Sequence, residues 1–125
     1  MAKNNGGNLF KGDPQGSLMW KGSNPASYYA DYELHTNNIA NDWTDLVKLM
    51  DNINNLPTSI FHDSLETKLN TNSFIRQWAA RNLCVDLDAY FHAPHNYYLY
   101  HNTVSNKFEC RINSRGCWIW RDNKE

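Results

Sequence analysis

The chain has 125 residues, a formal net charge of -1 with neutral histidines, and an aromatic fraction of 14%. This length fits one domain of about 100–200 residues, or part of one, and the charge excludes the dense positive surface of a dedicated nucleic-acid binder. The chain is too rich in apolar side chains for a disordered segment, but no apolar run reaches the roughly 20 residues of a membrane span and Met1–Gly7 lacks the apolar stretch of a signal peptide.

Residues 1–41 are rich in glycine, proline and asparagine, which divide this region into segments too short for helices. The segments between the turns predict short strands at Asn8–Lys11, Leu18–Lys21 and Tyr32–Thr36. The Gly12–Gly16 segment lacks the Gly-Lys-Ser/Thr ending of a phosphate-binding loop, and we interpret it as a hairpin turn.

Residues 42–88 form the predicted helical region. A first helix carries apolar residues at helical spacing from Trp43 to Ile53, and a second begins at Pro57. The predicted N-caps are short polar residues, namely Asn41 or Asp42 for the first helix and Thr58 or Ser59 for the second. A third helix follows a break at Asn70–Ser73 and runs from Phe74 to about Val85. Because its apolar face is broad, we expect this helix at the centre of the core.

A hairpin follows the helices. Asn96–Tyr100 and Lys107–Ile112 are predicted strands, joined by a loop at Asn102–Asn106. The predicted fold class is therefore α+β, with short N-terminal strands, three packed helices and a C-terminal hairpin. The odd number of cysteines, Cys84, Cys110 and Cys117, indicates free thiols, with Cys84 a small core residue.

The densest cluster of polar residues lies where the last helix ends and the hairpin begins: Asp86, Asp88, His92, His95, Asn96 and His101. One interpretation is a zinc site made of His92, His95 and His101, because imidazole nitrogens bind zinc well. Against it, Pro94 keeps His92 and His95 off a common helical face, and no His-Glu-x-x-His motif or cysteine partner lies nearby. The alternative is that these histidines are surface or hydrogen-bonding residues.

The second interpretation is a phosphoryl-transfer site. Such a site needs a carboxylate that accepts a hydroxyl proton and an amide that helps to hold a metal ion. Asp88 and Asn96, separated by a short loop, are the candidates. By themselves, these two residues fit a capping or surface aspartate and a turn asparagine better than a catalytic site.

Several segments together resemble the CotH spore-coat kinase family. They are Asn8–Gly12, Leu18–Gly22, Tyr32–Asn37, Asn41–Leu46, Asp88–Tyr90, His95–Tyr100 and Lys107–Glu109. Their order and spacing cover most of the chain. The resemblance divides it into a turn and strand region (1–41), a helical region (42–88), a catalytic-type loop and hairpin (89–112) and a divergent tail (113–125), as the central part of a kinase-like domain.

The resemblance implies an atypical protein kinase that transfers phosphate from ATP, with Mg, to Ser/Thr residues of a coat or surface protein. It implies that Asp88 is the catalytic-loop aspartate and that Asn96 helps to hold the metal. It also implies a location in a spore coat or at the cell surface. No nucleic-acid partner and no membrane span are expected.

The chain departs from the family pattern in three places. A Trp-Asp-x-Asp motif is expected after Lys107–Glu109 and is absent there, and Asp122 does not replace it. His35 stands where the family pattern has a lysine. The nucleotide-binding N-terminal region is expected upstream of Met1. These departures predict a segment that is inactive alone, with Trp20 or Trp43 exposed; a non-catalytic structural or interaction module is the alternative.

Overall fold

The computed structural model describes residues 6–83 and 94–112, apart from the side chain of Ile112. In chain order its elements are β1 (Leu9–Gly12), β2 (Tyr32–Leu34), α1 (Thr44–Asn55), α2 (Thr58–Glu66), α3 (Thr71–Leu83), β3 (Tyr97–Asn102) and β4 (Lys107–Ile112). The four strands form one antiparallel sheet in the order β2-β1-β3-β4. The α+β class, the three helices and the C-terminal hairpin are confirmed. No helix in the described ranges is long and apolar enough to cross a membrane.

The core lies between α1 and one face of the sheet. Phe10 pairs with Leu99 and Leu99 with Cys110, so their side chains share a face, and all three are buried. Leu46 and Met50, four residues apart on α1, are fully buried in the same cluster. Because residues three and four apart share a helix face, the spacing that predicted this helix also predicts which of its side chains meet the sheet.

The predicted strand at Leu18–Lys21 is wrong. This segment has no strand partner, because side chains satisfy its backbone groups instead. Asn54 on α1 donates to the Leu18 carbonyl at 2.8 Å, and the Lys21 N–H donates to the Tyr28 hydroxyl at 3.0 Å. Leu18 and Trp20 are half-buried against the core, so this segment packs on the core without pairing with a strand.

The predicted hairpin turn at Gly12–Gly16 is also wrong, although β1 and β2 are antiparallel neighbours. Their connection takes residues 13–31 and includes a 3-10 turn at Pro25–Tyr28. Gly12 and Gly16 pack against Tyr97 of β3, whose hydroxyl donates to the Gly16 carbonyl. A Cβ atom on Gly12 would lie 2.6 Å from the Tyr97 ring, so these glycines permit close packing rather than a tight turn.

The predicted caps are partly confirmed. Trp43 directly precedes α1 and makes no side-chain cap, but the carboxylate of Asp42, one residue earlier, accepts a hydrogen bond from the Thr44 N–H at 2.9 Å. The predicted caps of α2 are wrong: Thr58 is the first residue of that helix, and Pro57 before it makes no side-chain cap. Before α3, the Asn70 amide oxygen accepts from the Ser73 N–H at 3.1 Å, as expected for a break with capping residues.

The third helix does not occupy the centre of the core. Its buried residue is Arg81, whereas Ile75 is 64% exposed and Leu83 is 79% exposed. The expected exposure of Trp43 is wrong as well: it is 6% exposed and packs on Phe10, with the ring centroids 5.1 Å apart. Cys84 lies outside the described residues, and Cys110 is a free, buried thiol.

Candidate functional site

The predicted site residues lie at the start of β3. Asn96 directly precedes that strand, is half-buried, and has a left-handed backbone with φ of 60°. Its carbonyl accepts a hydrogen bond from the Arg81 guanidinium, with Nη2 and O 3.5 Å apart. Asp88, like Asp86 and His92, lies outside the described residues. The structure therefore fixes the position of Asn96 in the fold and leaves the role of Asp88 a prediction.

The two described histidines of the zinc interpretation lie at opposite ends of β3. His95 precedes the strand and His101 is near its end, which separates them by about 20 Å at 3.3 Å per residue. His101 Nδ1 lies 3.1 Å from the Asp45 carboxylate of α1, and its Nε2 lies 3.2 Å from the Asn106 amide oxygen. His101 therefore joins α1 to the hairpin, and this geometry does not support a zinc site shared by these histidines.

A charged cluster that the sequence did not predict lies near Asn96. Lys11 of β1 donates to the Asp13 carboxylate in an ion pair. This hydrogen bond lowers the pKa of Asp13, and the charge of His95 lowers it further. The same contact raises the pKa of Lys11. The cluster holds one strong cation and one carboxylate at the end of the sheet where β3 begins.

Lys11 also belongs to a row of side chains across the face of the sheet that points away from the core. Lys11 is in register with Glu33 of β2 and with Tyr98 of β3, and Tyr98 is in register with Arg111 of β4. In the described part of the chain, this face therefore presents two cations on either side of an aromatic ring. The only signal for it in the sequence is the alternation of the strands, which does not show which strands are neighbours.

His35, which stands where the family pattern has a lysine, lies on the same face. Its Nε2 is 3.2 Å from the Glu33 carboxylate, and its ring meets Tyr98 edge to face at 5.8 Å between centroids. The ring of His35 is therefore held between Glu33 and Tyr98 on this face.

The Cys110 thiol can be excluded as a nucleophile. It is 1% exposed, and burial raises its pKa to about 12. Thiolates, not thiols, are the reactive form. Cys110 is therefore a core residue of β4.

Of the two residues predicted for phosphoryl transfer, Asn96 is the one that lies among the described residues. Magnesium prefers oxygen ligands, and Asn96 offers an amide oxygen. Within residues 6–83 and 94–112, no three His, Cys, Asp or Glu side chains come close enough together to hold a metal ion. In this part of the chain, Asn96 alone among the predicted site residues offers such an oxygen, and its role as a metal ligand stays a prediction.

Comparison with known protein families confirms the resemblance found in the sequence. The model of a family described as CotH kinase protein matches residues 1–111, which includes both Asp88 and Asn96 and ends beside the last residue of β4. No curated protein sequence matches the chain significantly. The family match stops where the sequence after Glu109 departs from the expected Trp-Asp-x-Asp motif.

Proposed function

The chain belongs to the CotH kinase family, and we propose from this membership that it is part of a domain that transfers phosphate from ATP to Ser/Thr hydroxyls of a protein. The observation that carries the proposal is the family match over residues 1–111, which contains the whole candidate site. The position of Asn96 supports it, because a rigid strand begins directly after this residue. Residues on loops that a rigid scaffold presents are typical of catalytic sites.

In this proposal two side chains have defined roles. The Asp88 carboxylate accepts the proton of the substrate hydroxyl, and the Asn96 amide oxygen is one ligand of magnesium. ATP would supply the transferred phosphoryl group, and magnesium held in part by Asn96 would offset the charge of its phosphates. The substrate is a Ser/Thr-rich protein of a spore coat or cell surface, which is the setting that the family indicates.

We further propose that the 125-residue polypeptide by itself transfers little or no phosphate. Phosphoryl transfer needs the base, the metal and the phosphates positioned together. After Glu109 the sequence runs through Cys110–Cys117 without a Trp-Asp-x-Asp motif. The chain therefore lacks the aspartate that the family pattern uses, beside the base and the amide, to hold the metal ion. The proposal accounts for a chain that matches the kinase family but lacks one of the groups that phosphate transfer requires.

The assignment of Asp88 is tested in a repaired chain, in which a nucleotide-binding segment from the family precedes Met1 and a family segment with the Trp-Asp-x-Asp motif replaces residues 113–125. Asp88→Asn is expected to lower phosphate transfer to a Ser/Thr-rich protein by about 100-fold or more, since a general base contributes at least this much. Asp86→Asn, two residues away, is the matched control and should retain activity. Transfer that survives Asp88→Asn and not Asp86→Asn contradicts the assignment.

A non-catalytic structural or interaction module is the second candidate function. The observation that favours it is the same departure from the family motif after Glu109. A ligand that binds only the native state must raise its melting temperature. If excess Mg-ATP does not raise the melting temperature of either the natural or the repaired chain, the structural module is the better assignment.

A further inference from the structure

The charges of the described residues are divided unevenly along the chain. Residues 6–66, which include β1, β2, α1 and α2, carry eight Asp and Glu side chains against three lysines. Residues 67–83 and 94–112, which include α3 and the hairpin, carry five Lys and Arg side chains against one glutamate. A nearly neutral chain therefore has an acidic part and a basic part, and such a distribution favours contact with an oppositely charged surface.

α3 presents an exposed face that is both apolar and basic. Ile75 and Leu83 are mostly exposed, and Ala79, midway between them, is exposed as well. Because residues three and four apart share a helix face, the exposed Arg76 lies beside this row. α3 contains no Asp or Glu, and among the described residues the Arg76 guanidinium has no ion-pair partner. We call these four residues the α3 face.

α2 presents an exposed face of the opposite charge. Ile60 is 48% exposed, and Asp63 and Glu66 follow it at intervals of three residues. The side chain of Asp63 is 94% exposed and that of Glu66 is 48% exposed. α2 contains no Lys or Arg. Ile60, Asp63 and Glu66 form the α2 face, which resembles the α3 face in combining apolar and charged side chains but has complementary charge.

The two faces do not pair with each other within one chain. Asp63 and Glu66 both lie near His62, with nitrogen–oxygen distances of 3.1 and 3.7 Å. Glu66 also accepts a hydrogen bond from the Thr71 hydroxyl at 3.2 Å. Neither carboxylate forms an ion pair with Arg76 in the part of the chain that the structure describes. Both faces are therefore available to another molecule.

We propose that the α3 face binds the α2 face of a second copy of this chain. In this contact Ile60 of one copy covers the row from Ile75 to Leu83 of the other, and Asp63 or Glu66 pairs with Arg76. The two faces have similar lengths, about 9 Å on α2 and about 12 Å on α3 at 1.5 Å per residue. A nucleic acid matches the α3 face less well, because its phosphates would lie against apolar side chains.

The contact joins two different faces, so it is heterologous. It either closes, when two copies exchange both contacts, or continues into longer assemblies. Because two short helix faces bury little area, the association should be weak and visible only at high protein concentration. The proposal does not depend on the proposed phosphate transfer.

The test measures self-association of the full 125-residue chain by sedimentation equilibrium up to about 1 mM protein. At about 10 mM ionic strength, where the Debye length is about 30 Å, the average mass should rise with concentration. It should return towards the monomer mass at about 1 M salt, where the Debye length is about 3 Å. Arg76→Glu should weaken the association by about tenfold or more, because it places like charges opposite each other.

The matched control is Lys48→Glu, which makes the same change of charge at an exposed position on α1 and should alter the association little. Arg76, Lys48 and Asp63 are all exposed, so the melting temperatures of their variants should stay close to that of the wild type. Asp63→Arg should also be monomeric by itself. An equimolar mixture of the Arg76→Glu and Asp63→Arg chains should associate again, because each then meets an opposite charge on the other.

A wild-type chain that stays monomeric overturns the proposal and leaves the α3 face to a different acidic partner. Association that persists in Arg76→Glu, that Lys48→Glu weakens equally, or that high salt does not change also overturns it. So does a mixture of the two charge variants that stays monomeric.

Discussion

The helices α1 and α3 both lie beside the sheet, but they bury opposite kinds of side chain. On α1, Leu46, Leu49 and Met50 are almost completely buried. On α3, the buried side chain is Arg81, while Ile75 and Leu83 are exposed. The two helices have similar numbers of apolar residues, so the difference shows that the amount of apolar surface does not decide which helix forms the core.

What decides is the part of the sheet that each helix meets. α1 covers the apolar face, where Phe10, Leu99 and Cys110 are buried. α3 lies along β4, the edge strand, whose outward backbone groups need hydrogen-bond partners. Gln77 supplies one to the Cys110 carbonyl, and the Lys68–Asn70 backbone pairs with both backbone groups of Phe108. α3 therefore turns a partly polar face inward.

The largest expected effect tests this difference directly. Leu46→Ala removes a fully buried side chain and should lower the free energy of unfolding by about 3 kcal/mol. Ile75→Ala is its matched control on α3 and should change that free energy by less than about 0.5 kcal/mol. Urea unfolding of both variants provides the measurement. Equal losses would mean that the exposed stripe of α3 is covered in solution.

A smaller effect compares the N-terminal caps of the two helices. Asp42→Ala and Asn70→Ala should each cost about 1 kcal/mol of unfolding free energy at neutral pH, because each removes a side-chain acceptor from the first turn. Hydrogen bonds from Thr44 lower the pKa of Asp42 below its ordinary value of 3.8. Urea unfolding at a series of pH values measures both costs.

At low pH the costs of removing the two caps should differ. A carboxyl with a depressed pKa contributes stability above its unfolded pKa and loses it as the pH falls through its folded pKa. The cost of Asp42→Ala should therefore shrink below about pH 4, whereas that of Asn70→Ala should persist because an amide does not titrate. A constant cost for Asp42→Ala down to its own acid transition would show that the charge of Asp42 adds nothing to the cap.

The smallest effect concerns α2, in which no residue is buried. A hydrogen bond with Asp63 raises the pKa of His62, and Glu66 adds to the shift. Its NMR titration midpoint should therefore lie above 6.5, and Asp63→Asn should lower it. Because His62 is exposed, the interaction favours the folded state only below the folded pKa and should not change stability measurably. A normal midpoint in the wild type would contradict this pairing.

Much of the fold could be predicted because it depends on local patterns. The 3.6-residue spacing of apolar residues predicts α1. A period of two is seen in β3, where Tyr97 and Leu99 are buried and Tyr98 is half-buried. The strand predicted at Leu18–Lys21 failed because an extended segment becomes a strand only if a partner strand lies beside it. Pairing partners are not visible in local alternation.

The many asparagines of the sequence indicate where its turns lie. Among the described residues, the four non-glycine residues with positive φ are all asparagines: Asn37, Asn41, Asn96 and Asn106. Asparagine adopts the left-handed region more easily than other residues with a side chain. The excess of this residue therefore marks turns and caps, and Asn96 is the one with a candidate role in chemistry.

The candidate site was only partly predictable. Asn96 could be found because it stands in a matching family segment, and Asp88 remains a prediction from the same resemblance. The ion pair of Lys11 with Asp13 and the buried Arg81 were not predicted. Each depends on contacts between residues that are distant in sequence, such as Arg81 with Asn96, or on a loop whose path the sequence does not fix.

The sequence by itself determined the α+β class, the three helices, the hairpin and the family, because spacing, caps and ordered motifs are local properties. Only the tertiary structure decided that α1 rather than α3 forms the core, that Trp43 is buried, and that an arginine contacts the backbone of Asn96. The first of these outcomes depends on which strand is at the edge of the sheet, and the other two depend on contacts between residues that are distant in sequence. The hydrogen bonds that an edge strand requires are set by the assembled sheet, not by the pattern of any one segment.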